Sequence, residues 1–339
     1  MIKILLYWYW KKEERYMTRV MKKLGLIFAT LLLLVSSVPL LNQHSAQAAD
    51  TTANTDSTIK VGTTQSISSL PFYFAQDKKY YDAHSVKVEL QQFKTASELN
   101  DAIKAGKVNV AVTDLVNFTT IAKNNKSWKV AGTATGYSAL VANKKFKNVK
   151  SLKGKTIAID KKDGSKYYLK NLLSKNDMKM SDVKVKNVAN LTTRVSNLKS
   201  KKVDAAVLSD PAISNAKQNG AKVLNKQKAN NKNGDIIAVS NDLTTSKVSD
   251  VNNLINSYND AAKDLTKSGF VPADVLLLQL GATRKSAAKM NDLDVKFASS
   301  KKVKKADFDK AVKYAKSQKL ISNTMKYKNE KVNLDKVTK

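Results

Sequence analysis

Two short phrases of the sequence nearly repeat each other, and they limit the folds that the chain can adopt. Residues 107–114 have the sequence KVNVAVTD, and residues 202–210 have the sequence KVDAAVLSD. In each phrase a run of small apolar residues ends in Thr-Asp or Ser-Asp, which predicts a short buried strand with a polar end. Ahead of each phrase, apolar residues recur at intervals of three and four, which predicts an amphipathic helix. The repetition therefore predicts two similar α/β lobes.

Strand and helix patterns alternate on both sides of these phrases. Strands that alternate with helices form mainly parallel sheets with helices on their faces, so the pattern predicts an α/β fold. From residue 248 onward the patterns are helical only, which predicts a helical C-terminal extension. The further predicted strands cover residues 58–64, 85–93, 128–133, 137–144, 154–160, 183–188 and 234–240, and the helices of the extension cover 248–266, 271–280 and 308–319.

Several predicted helices begin at residues suited to a first turn. Ser165 stands at the start of an amphipathic pattern and is predicted to be the N-cap of a helix. Pro71 and Pro211 are predicted to open two further helices, because the first turn does not use the N–H that proline lacks. Small polar residues stand where the strands end, and ligands of open α/β sheets bind at these ends.

The first fifty residues have the features of a secretory signal peptide. Lys22 and Lys23 precede an apolar run over residues 24–41, and residues 46–48 are Ala-Gln-Ala, a small-residue cleavage site. We expect cleavage before Ala49 and an extracellular protein. The alternative is an uncleaved membrane anchor, because the apolar run approaches the ~20 residues that span a bilayer.

The expected division of the N-terminal region follows from this signal. Residues 1–48 are the predicted signal peptide, and residues 49–57 are a polar leader. Residues 1–20 are unusual ahead of a signal, and a misassigned start codon, with Met17 or Met21 as the true start, explains them most simply.

The charge of the chain is strongly positive. The net charge is +32, of which residues 1–48 carry +5, which leaves +27 for the chain from Ala49 on. Lysine supplies nearly all of it, since Arg194 and Arg284 are the only arginines beyond residue 48. Readers of nucleic acid bases rely on arginine, so this composition and the predicted export exclude nucleic acid as a partner. An anionic cell-wall polymer is the natural counter-charge, and solubility alone is the alternative.

The absence of cysteine removes several kinds of chemistry. A thiolate nucleophile, a disulfide framework, a cysteine-bound metal and a lipid anchor on cysteine are all excluded. The chain has two histidines, which are too few for a histidine-rich metal site. We therefore expect no catalytic residues, no metal, no cofactor and no lipoprotein anchor.

Longer stretches of the sequence resemble a known family. Residues 61–115, which include VGTTQSISSLPFYFAQDKKYYDAHSVKVELQQF, resemble the first lobe of solute-binding proteins of ABC importers. Residues 151–173 (SLKGKTIAIDKKDGSKYYLKNLL) and 201–224 (KKVDAAVLSDPAISNAKQNGAKVL) are similar to the second lobe, and 316–337 fit the C-terminal pattern. The resemblance runs over about residues 59–337. It is strongest to the branch that serves aliphatic sulfonates, taurine, nitrate and thiamine-pyrimidine precursors.

The resemblance implies a type 2 periplasmic-binding-protein fold, in which two lobes close on a ligand. It implies lobe 1 over residues 58–135, lobe 2 over 136–235, and a return to lobe 1 with a helical tail over 236–339. The crossings between the lobes are expected near residues 135–137 and 233–235. Each lobe is expected to be a mainly parallel sheet flanked by helices.

The same resemblance implies a function without catalysis. The protein is expected to be an extracellular, monomeric receptor that captures a small organic or oxoanionic ligand, similar to a sulfonate, taurine, nitrate or thiamine-pyrimidine precursor, and delivers it to a membrane permease. One departure affects the ligand: residues 95–97 are Thr-Ala-Ser where the family has a glycine-containing loop. Because glycine there permits close approach of the backbone, the identity of the ligand cannot be carried over.

The candidate ligand-binding residues lie at strand ends and helix starts. Hydroxyl, carboxylate and aromatic side chains could bind, accept hydrogen bonds from, or stack on a small ligand, and a helix start such as that at Ser165 could bind an anion. For Ser165 and the two aspartates the alternative role is helix capping, and for the aromatic residues it is the core. The predicted set is Ser66, Phe72, Tyr73, Thr95, Ser97, Thr113, Asp114, Tyr137, Ser165, Tyr167, Ser209 and Asp210.

Two other functional classes remain open from the sequence. The first is a basic cell-surface protein that is held electrostatically on the anionic wall and acts in adhesion. The second is an enzyme related to pyrimidine synthesis, which the predicted export, the lack of cysteine and the single histidine beyond the signal argue against.

Overall fold

Two sheets, each flanked by helices, form the frame of the protein, which we describe from a computed structural model covering residues 58–230, 232–293 and 295–332. The predicted signal peptide and polar leader lie outside these residues. The described strands are β1 (Ile59–Thr64), β2 (Val88–Phe93), β3 (Val110–Asp114), β4 (Trp128–Thr133), β5 (Ala139–Ala142), β6 (Thr156–Ile159), β7 (Lys184–Asn187), β8 (Ala205–Leu208), β9 (Lys222–Lys226) and β10 (Asp235–Ser240).

The helices of the described residues alternate with these strands and then continue alone. They are α1 (Leu70–Asp77), α2 (Tyr80–Ala83), α3 (Ala96–Lys104), α4 (Leu115–Asn124), α5 (Ser165–Ser174), α6 (Leu191–Lys199), α7 (Ala212–Gln218), α8 (Asn241–Ser246), α9 (Val248–Ser268), α10 (Asp274–Gln279), α11 (Arg284–Met290), α12 (Lys305–Ser317) and α13 (Tyr327–Glu330). None of these helices combines the length and the apolar character that crossing a bilayer requires.

The two sheets have the same topology. The first has the strand order β2-β1-β3-β10-β4, and the second has the order β7-β6-β8-β5-β9. The strands β1 and β6 each pair in parallel with both neighbours, whereas β10 and β5 pair antiparallel with theirs. Four strands of each sheet thus share one direction and one strand opposes them. The predicted two-lobed α/β fold is confirmed, with sheets that are mixed rather than purely parallel.

Each opposing strand is the first one that the chain contributes after it changes sheets. The chain leaves β4 for β5 of the second sheet, and it leaves β9 for β10 of the first. We call the first sheet with its helices lobe 1 and the second sheet with its helices lobe 2. The two crossing segments run side by side, since the Gly136 N–H donates to the Asn230 carbonyl and the Asn233 side chain donates to the Gly136 carbonyl.

The repeated phrases form the buried strands that their pattern predicts. The residues of β8 and most of those of β3 are buried, and the preceding helices α6 and α3 bury their apolar faces. In α3 these buried residues include Leu99 and Ile103, and the helix starts at Thr95, whose hydroxyl accepts a hydrogen bond from the Glu98 N–H. The local sequence therefore fixes both strands and their helices.

The helical extension covers the back of lobe 1 and reaches lobe 2. The long helix α9 packs on α1, where the rings of Tyr258 and Phe72 are 5.2 Å apart. The Tyr258 hydroxyl accepts a hydrogen bond from the Thr135 N–H at the first crossing. One continuous apolar core includes buried residues of both lobes and of α9.

The region after α9 differs from the sequence prediction. A single helix is predicted over residues 271–280, but the structure has a 3₁₀ turn at Val271–Ala273 followed by α10, and it adds α11. These helices are held by Asn215 of lobe 2, whose side chain donates to the Gly281 carbonyl at 2.8 Å and accepts from the Thr283 N–H at 2.9 Å. Such tertiary contacts leave no periodic pattern in the sequence.

A single buried arginine joins two strand ends of lobe 2. Arg194 on α6 is 1% exposed. Its guanidinium donates to the carbonyls of Val188, Ala189 and Val207, at 2.6, 3.0 and 2.8 Å respectively. Because buried carbonyls need partners, this side chain fixes the segments that follow β7 and end β8.

We expect the substitution Arg194→Lys to destabilise the protein by about 3 kcal/mol, because a single ammonium group cannot reach three carbonyls in a planar fork. Urea unfolding followed by circular dichroism measures the change. The control is Arg284→Lys on α11, where the side chain is exposed and the expected change is below about 0.5 kcal/mol. Equal effects of the two substitutions would contradict this role of Arg194.

Candidate functional site

A cleft lies where the carboxyl ends of the parallel strands of both sheets face each other. Its volume is about 530 Å³, and its lining includes Thr64 at the end of β1, Asp114 at the end of β3, Asp160 after β6 and Ser209 after β8. Pockets of about 300–1,000 Å³ are typical of small-molecule sites. The topology thus brings the polar strand ends of both lobes to one cavity, as open α/β sheets do.

Most of the predicted site residues meet in this cleft. Their contact with a ligand remains a prediction, but the fold brings eight of the twelve together from distant parts of the chain. The residues that line the cleft are Ser66, Thr95, Thr113, Asp114, Tyr137, Ser165, Tyr167 and Ser209.

Two predicted aromatic residues lie in the core instead. Phe72 is fully buried and packs on Tyr258. Tyr73 is 3% exposed, and its hydroxyl forms a 2.7 Å hydrogen bond with Thr63 Oγ1. Neither lines the cleft, because α1 directs its aromatic side chains toward the core of lobe 1.

Ser97 and Asp210 also lie outside the cleft lining. The Asp210 carboxylate is fully buried and accepts hydrogen bonds from the Tyr137 hydroxyl at 2.5 Å and from the Ser214 N–H at 2.9 Å. It therefore stabilises the start of α7. The Ser97 hydroxyl accepts a 3.0 Å hydrogen bond from Lys162 of lobe 2, a contact that joins the lobes beside the cleft.

Ser165 is not the N-cap that the sequence predicts. Gly164 holds that position, and Ser165 is the first residue of α5. The Ser165 N–H donates to the Asp163 carboxylate at 2.7 Å, and the Ser165 hydroxyl contacts the same carboxylate and the Asp160 backbone. The Asp163 carboxylate, two residues ahead of Ser165, thus accepts a hydrogen bond from the first turn of α5.

A second carboxylate reaches the same helix start from lobe 1. Asp114 caps α4, since its Oδ1 accepts from the N–H groups of Val116 and Asn117 at 2.8 and 3.0 Å. The Gly164 N–H also stabilises the ionised Asp114 side chain. A Cβ atom on residue 164 would lie 3.2 Å from Asp114 Oδ1, so glycine permits this close approach between the lobes.

Five aspartates line the cleft: Asp114, Asp160, Asp163, Asp235 and Asp307, of which Asp307 pairs with Lys310. Burial, with a smaller contribution from the nearby Asp163, raises the pKa of Asp114 to about 7. Burial raises the pKa of Asp235 to about 6, with a contribution from Asp163. Burial, followed by Asp163, also raises the pKa of Asp160. Of these acids the sequence pattern indicates only Asp114, because nothing local shows that the others line the same cleft.

The basic residues of the cleft are four exposed lysines and one buried arginine. Four lysines line it, and all four are exposed at its mouth: Lys94, Lys175, Lys232 and Lys310. Arg194 is the buried base of the cleft lining, and its guanidinium is used by three carbonyls. The interior of the cleft is therefore acidic although the chain as a whole is basic.

Aromatic side chains form part of the cleft wall and hold the lobes together. Tyr167 of α5 packs on Tyr314 of α12 with ring centroids 4.6 Å apart. Beside them, the Lys166 ammonium donates to the Gln318 side chain at 2.5 Å. Helix α12 packs on α4 of lobe 1. The lobes are thus in contact across the mouth of the cleft, and the structure represents a closed form.

The described residues contain no group of three or more acidic or histidine side chains placed to hold a metal ion. His84 is the one histidine among them, and it contacts Asp260 on the surface at 2.7 Å. The cleft thus offers carboxylates, hydroxyls, amides and aromatic rings.

Two sheets of identical topology that are joined by two crossings and close over a polar cleft define the periplasmic-binding-protein fold. A family model described as NMT1/THI5 like matches residues 66–269, and the chain belongs to this family. No curated protein sequence matches the chain significantly.

Solved structures support the same fold. The periplasmic aliphatic sulphonate binding protein SsuA from Escherichia coli is similar with a TM-score of 0.68 and 15% identity, over 82% of this chain and 92% of that one. A ligand binding component of an ABC-type import system from Staphylococcus aureus has a TM-score of 0.66 and 13% identity, over 83% and 99%. The desulfurization enzyme DSZB has a TM-score of 0.57 and 11% identity, over 82% and 98%.

The acidic cleft predicts a pH-dependent stability. The pKa of Asp114 is raised from 3.8 to about 7 in the folded protein. The stability associated with its protonated carboxyl group is therefore fully present below about pH 4 and is lost as the pH rises through 7. We therefore expect Asp114→Asn, which retains the N-cap, to stabilise the protein by about 2 kcal/mol near pH 8 and by less than about 0.5 kcal/mol near pH 4.5.

Urea unfolding of both proteins at the two pH values measures this difference. The control is Asp177→Asn, because the Asp177 side chain is 87% exposed and pairs only with Lys150 on the surface. A stabilisation by Asp114→Asn that is the same at both pH values would show that ionisation of Asp114 is not its cause.

Proposed function

We propose that the protein is a solute-binding receptor of the ABC-importer type, which captures a small molecule in the cleft and delivers it to a membrane permease. The observation that carries this proposal is the closed cleft of about 530 Å³ between two topologically equivalent sheets. With the predicted signal peptide, we place the receptor outside the cell, and we expect it to act as a monomer.

The crossings provide a mechanism for capture. Lobe 2 is connected to lobe 1 by two short segments that lie side by side, and side-chain contacts across the cleft join Lys162 to Ser97 and Lys166 to Gln318. Rotation about these segments opens the cleft. A ligand that contacts both lobes favours the closed form, because only this form provides all of its contacts.

The similar proteins support binding more than catalysis. The Escherichia coli neighbour is a sulphonate binding protein and the Staphylococcus aureus neighbour is a component of an import system, whereas DSZB is an enzyme. The chain has no cysteine, and His84 lies on the surface. A cleft with this inventory suits the reversible binding of a ligand better than nucleophilic chemistry.

A thermal-shift panel of the secreted protein tests the proposal. The panel contains alkanesulfonates, nitrate, phosphonates, aminopyrimidines, amines and amino acids. A ligand at a hundredfold excess over its Kd is expected to add about 2.7 kcal/mol of stability. The control is the same panel with the Gly164→Trp variant, in which the new side chain obstructs the close approach of the lobes at Asp114. Silence across all chemical classes would contradict a receptor function.

A second candidate function is retention on the anionic cell wall. A groove of about 750 Å³ lies between α12 and residues 324–331. Its lining includes apolar side chains and six exposed lysines, whereas Asp309 is its one acid and pairs with Lys305. We call this surface the lysine groove: Lys305, Lys313, Lys316, Lys326, Lys328 and Lys331. Such a surface suits a polymer of phosphodiesters.

We expect a wash of producing cells with about 1 M salt to release the protein, because this concentration screens exposed charges beyond about 3 Å. Replacement of Lys313, Lys316, Lys326 and Lys328 by glutamine should release it at lower salt. The matched control replaces four exposed lysines of lobe 2 by glutamine: Lys184, Lys186, Lys199 and Lys202. Equal release of the two variants would show that total charge, and not the lysine groove, retains the protein.

A further inference from the structure

The charges inside the cleft are opposite in sign to the charge of the whole protein. Besides Asp307, which pairs with Lys310, four aspartates line the cleft and are buried or half-buried, whereas the four lysines of the lining are exposed. Exposed charges are screened by water and salt, but charges in a closed cleft interact through a medium of lower dielectric constant. The interior charge therefore determines which ligand the closed form accepts.

The place where an oxoanion would bind is already occupied by the chain. The free N–H groups at the start of α5 would suit an anion, but the Ser165 N–H donates to Asp163 and the Gly164 N–H faces Asp114. An oxoanion at this position would have to displace two carboxylates or lie against them. The negative charges of the oxoanion and of the two carboxylates would repel each other strongly in a site from which water is excluded.

The buried base of the cleft offsets these acids only in part. Every nitrogen of the Arg194 guanidinium donates to a backbone carbonyl, and its distance to the Asp163 carboxylate is 3.6 Å. One cation therefore stands beside four carboxylates in the interior. Closing the lobes without a ligand brings Asp114 of lobe 1 next to Asp163 of lobe 2, and this repulsion opposes closure.

We propose that the ligand of this cleft is an organic cation, with an ammonium or guanidinium group that lies between Asp114 and Asp163 and joins the two lobes. This inference rests on the receptor function proposed above and names the class of its solute. An organic cation is favoured over a metal ion because the acids of the described residues do not converge into a metal-binding group. The Tyr137 and Tyr167 side chains in the lining provide apolar surface for the rest of the ligand.

The groups that face Asp114 give the cleft a defined response to pH. They are Asp163 beside α5, Asp235 at the start of β10 and Tyr314 on α12, with the Gly164 N–H as the donor from lobe 2. Protonation of Asp114 and Asp235 removes negative charge that a cation requires. The affinity for a cation should therefore fall as the pH falls, whereas the affinity for an oxoanion should rise.

Calorimetry of the full secreted chain with charged and neutral probes tests the inference. The cationic probes are choline and agmatine, which keep their charge between about pH 5 and 7.5. The neutral isostere of choline is 3,3-dimethylbutan-1-ol, and the anionic probes are ethanesulfonate and nitrate. We expect a cation to bind, its neutral isostere to bind at least tenfold more weakly, and the cation to lose at least tenfold in affinity at the lower pH.

Substitution of single aspartates shows which carboxylates the cation contacts. Asp114→Asn retains the cap of α4. We expect this substitution, and likewise Asp163→Asn, to lower the affinity for the cation at least tenfold. Asp177→Asn on the surface should leave the affinity unchanged. If Asp163→Asn does not fold, Asp235→Asn takes its place with the same expectation.

The outcomes separate this inference from the receptor function. Binding of an oxoanion that strengthens at the lower pH or in Asp114→Asn would overturn the cation inference and leave the receptor intact. Binding of a cation that the aspartate variants do not weaken would also overturn it. Binding of no probe, together with silence in the broad thermal-shift panel, would overturn both.

Discussion

The double crossing of the chain between two sheets is the constraint on which the rest of the structure depends. Because the chain enters each sheet a second time from the other, β5 and β10 oppose the direction of their neighbours, and the polar ends of the parallel strands face one cleft. The crossings hold each other through the Gly136 and Asn230 backbones, and Tyr258 of α9 fixes the first crossing from behind. The helical extension is therefore part of the hinge and not an appendage.

Contacts between the lobes stabilise the closed cleft, whereas the charges of its aspartates destabilise it. Aromatic and polar contacts between α5 and α12 favour the closed form, and the four interior aspartates oppose it. A balance of this kind makes closure depend on a ligand, since a ligand that neutralises the acids adds its free energy to contacts that already exist. A receptor gains from this arrangement, because an empty cleft that stayed closed would not admit a solute.

The sequence alone predicts the elements and much of the cleft, because both have local causes. Strand periodicity locates β1, β4 and β8, and the polar and aromatic residues at strand ends and helix starts include eight cleft residues. What it misses depends on contacts between distant segments. Asp160, Asp163 and Asp235 appear in the sequence as ordinary acids of strand ends and loops, and only the fold shows that they line one cleft with Asp114. Likewise, the helical position of Phe72 does not show which face of α1 meets α9.

The separation of basic surface from acidic interior allows two electrostatic functions in one chain. The lysine groove and the other exposed lysines act over the Debye length of about 8–10 Å, so their attraction to a wall polymer weakens with salt. The interior aspartates act at contact distance inside a closed cleft, where salt has little access. A basic exterior repels small cations. The lysines of the cleft are exposed at its mouth, however, and the less exposed aspartates lie behind them. The proposed retention on the wall and the proposed selection of a cation therefore depend on different residues and act over different distances, so a substitution can change one without the other.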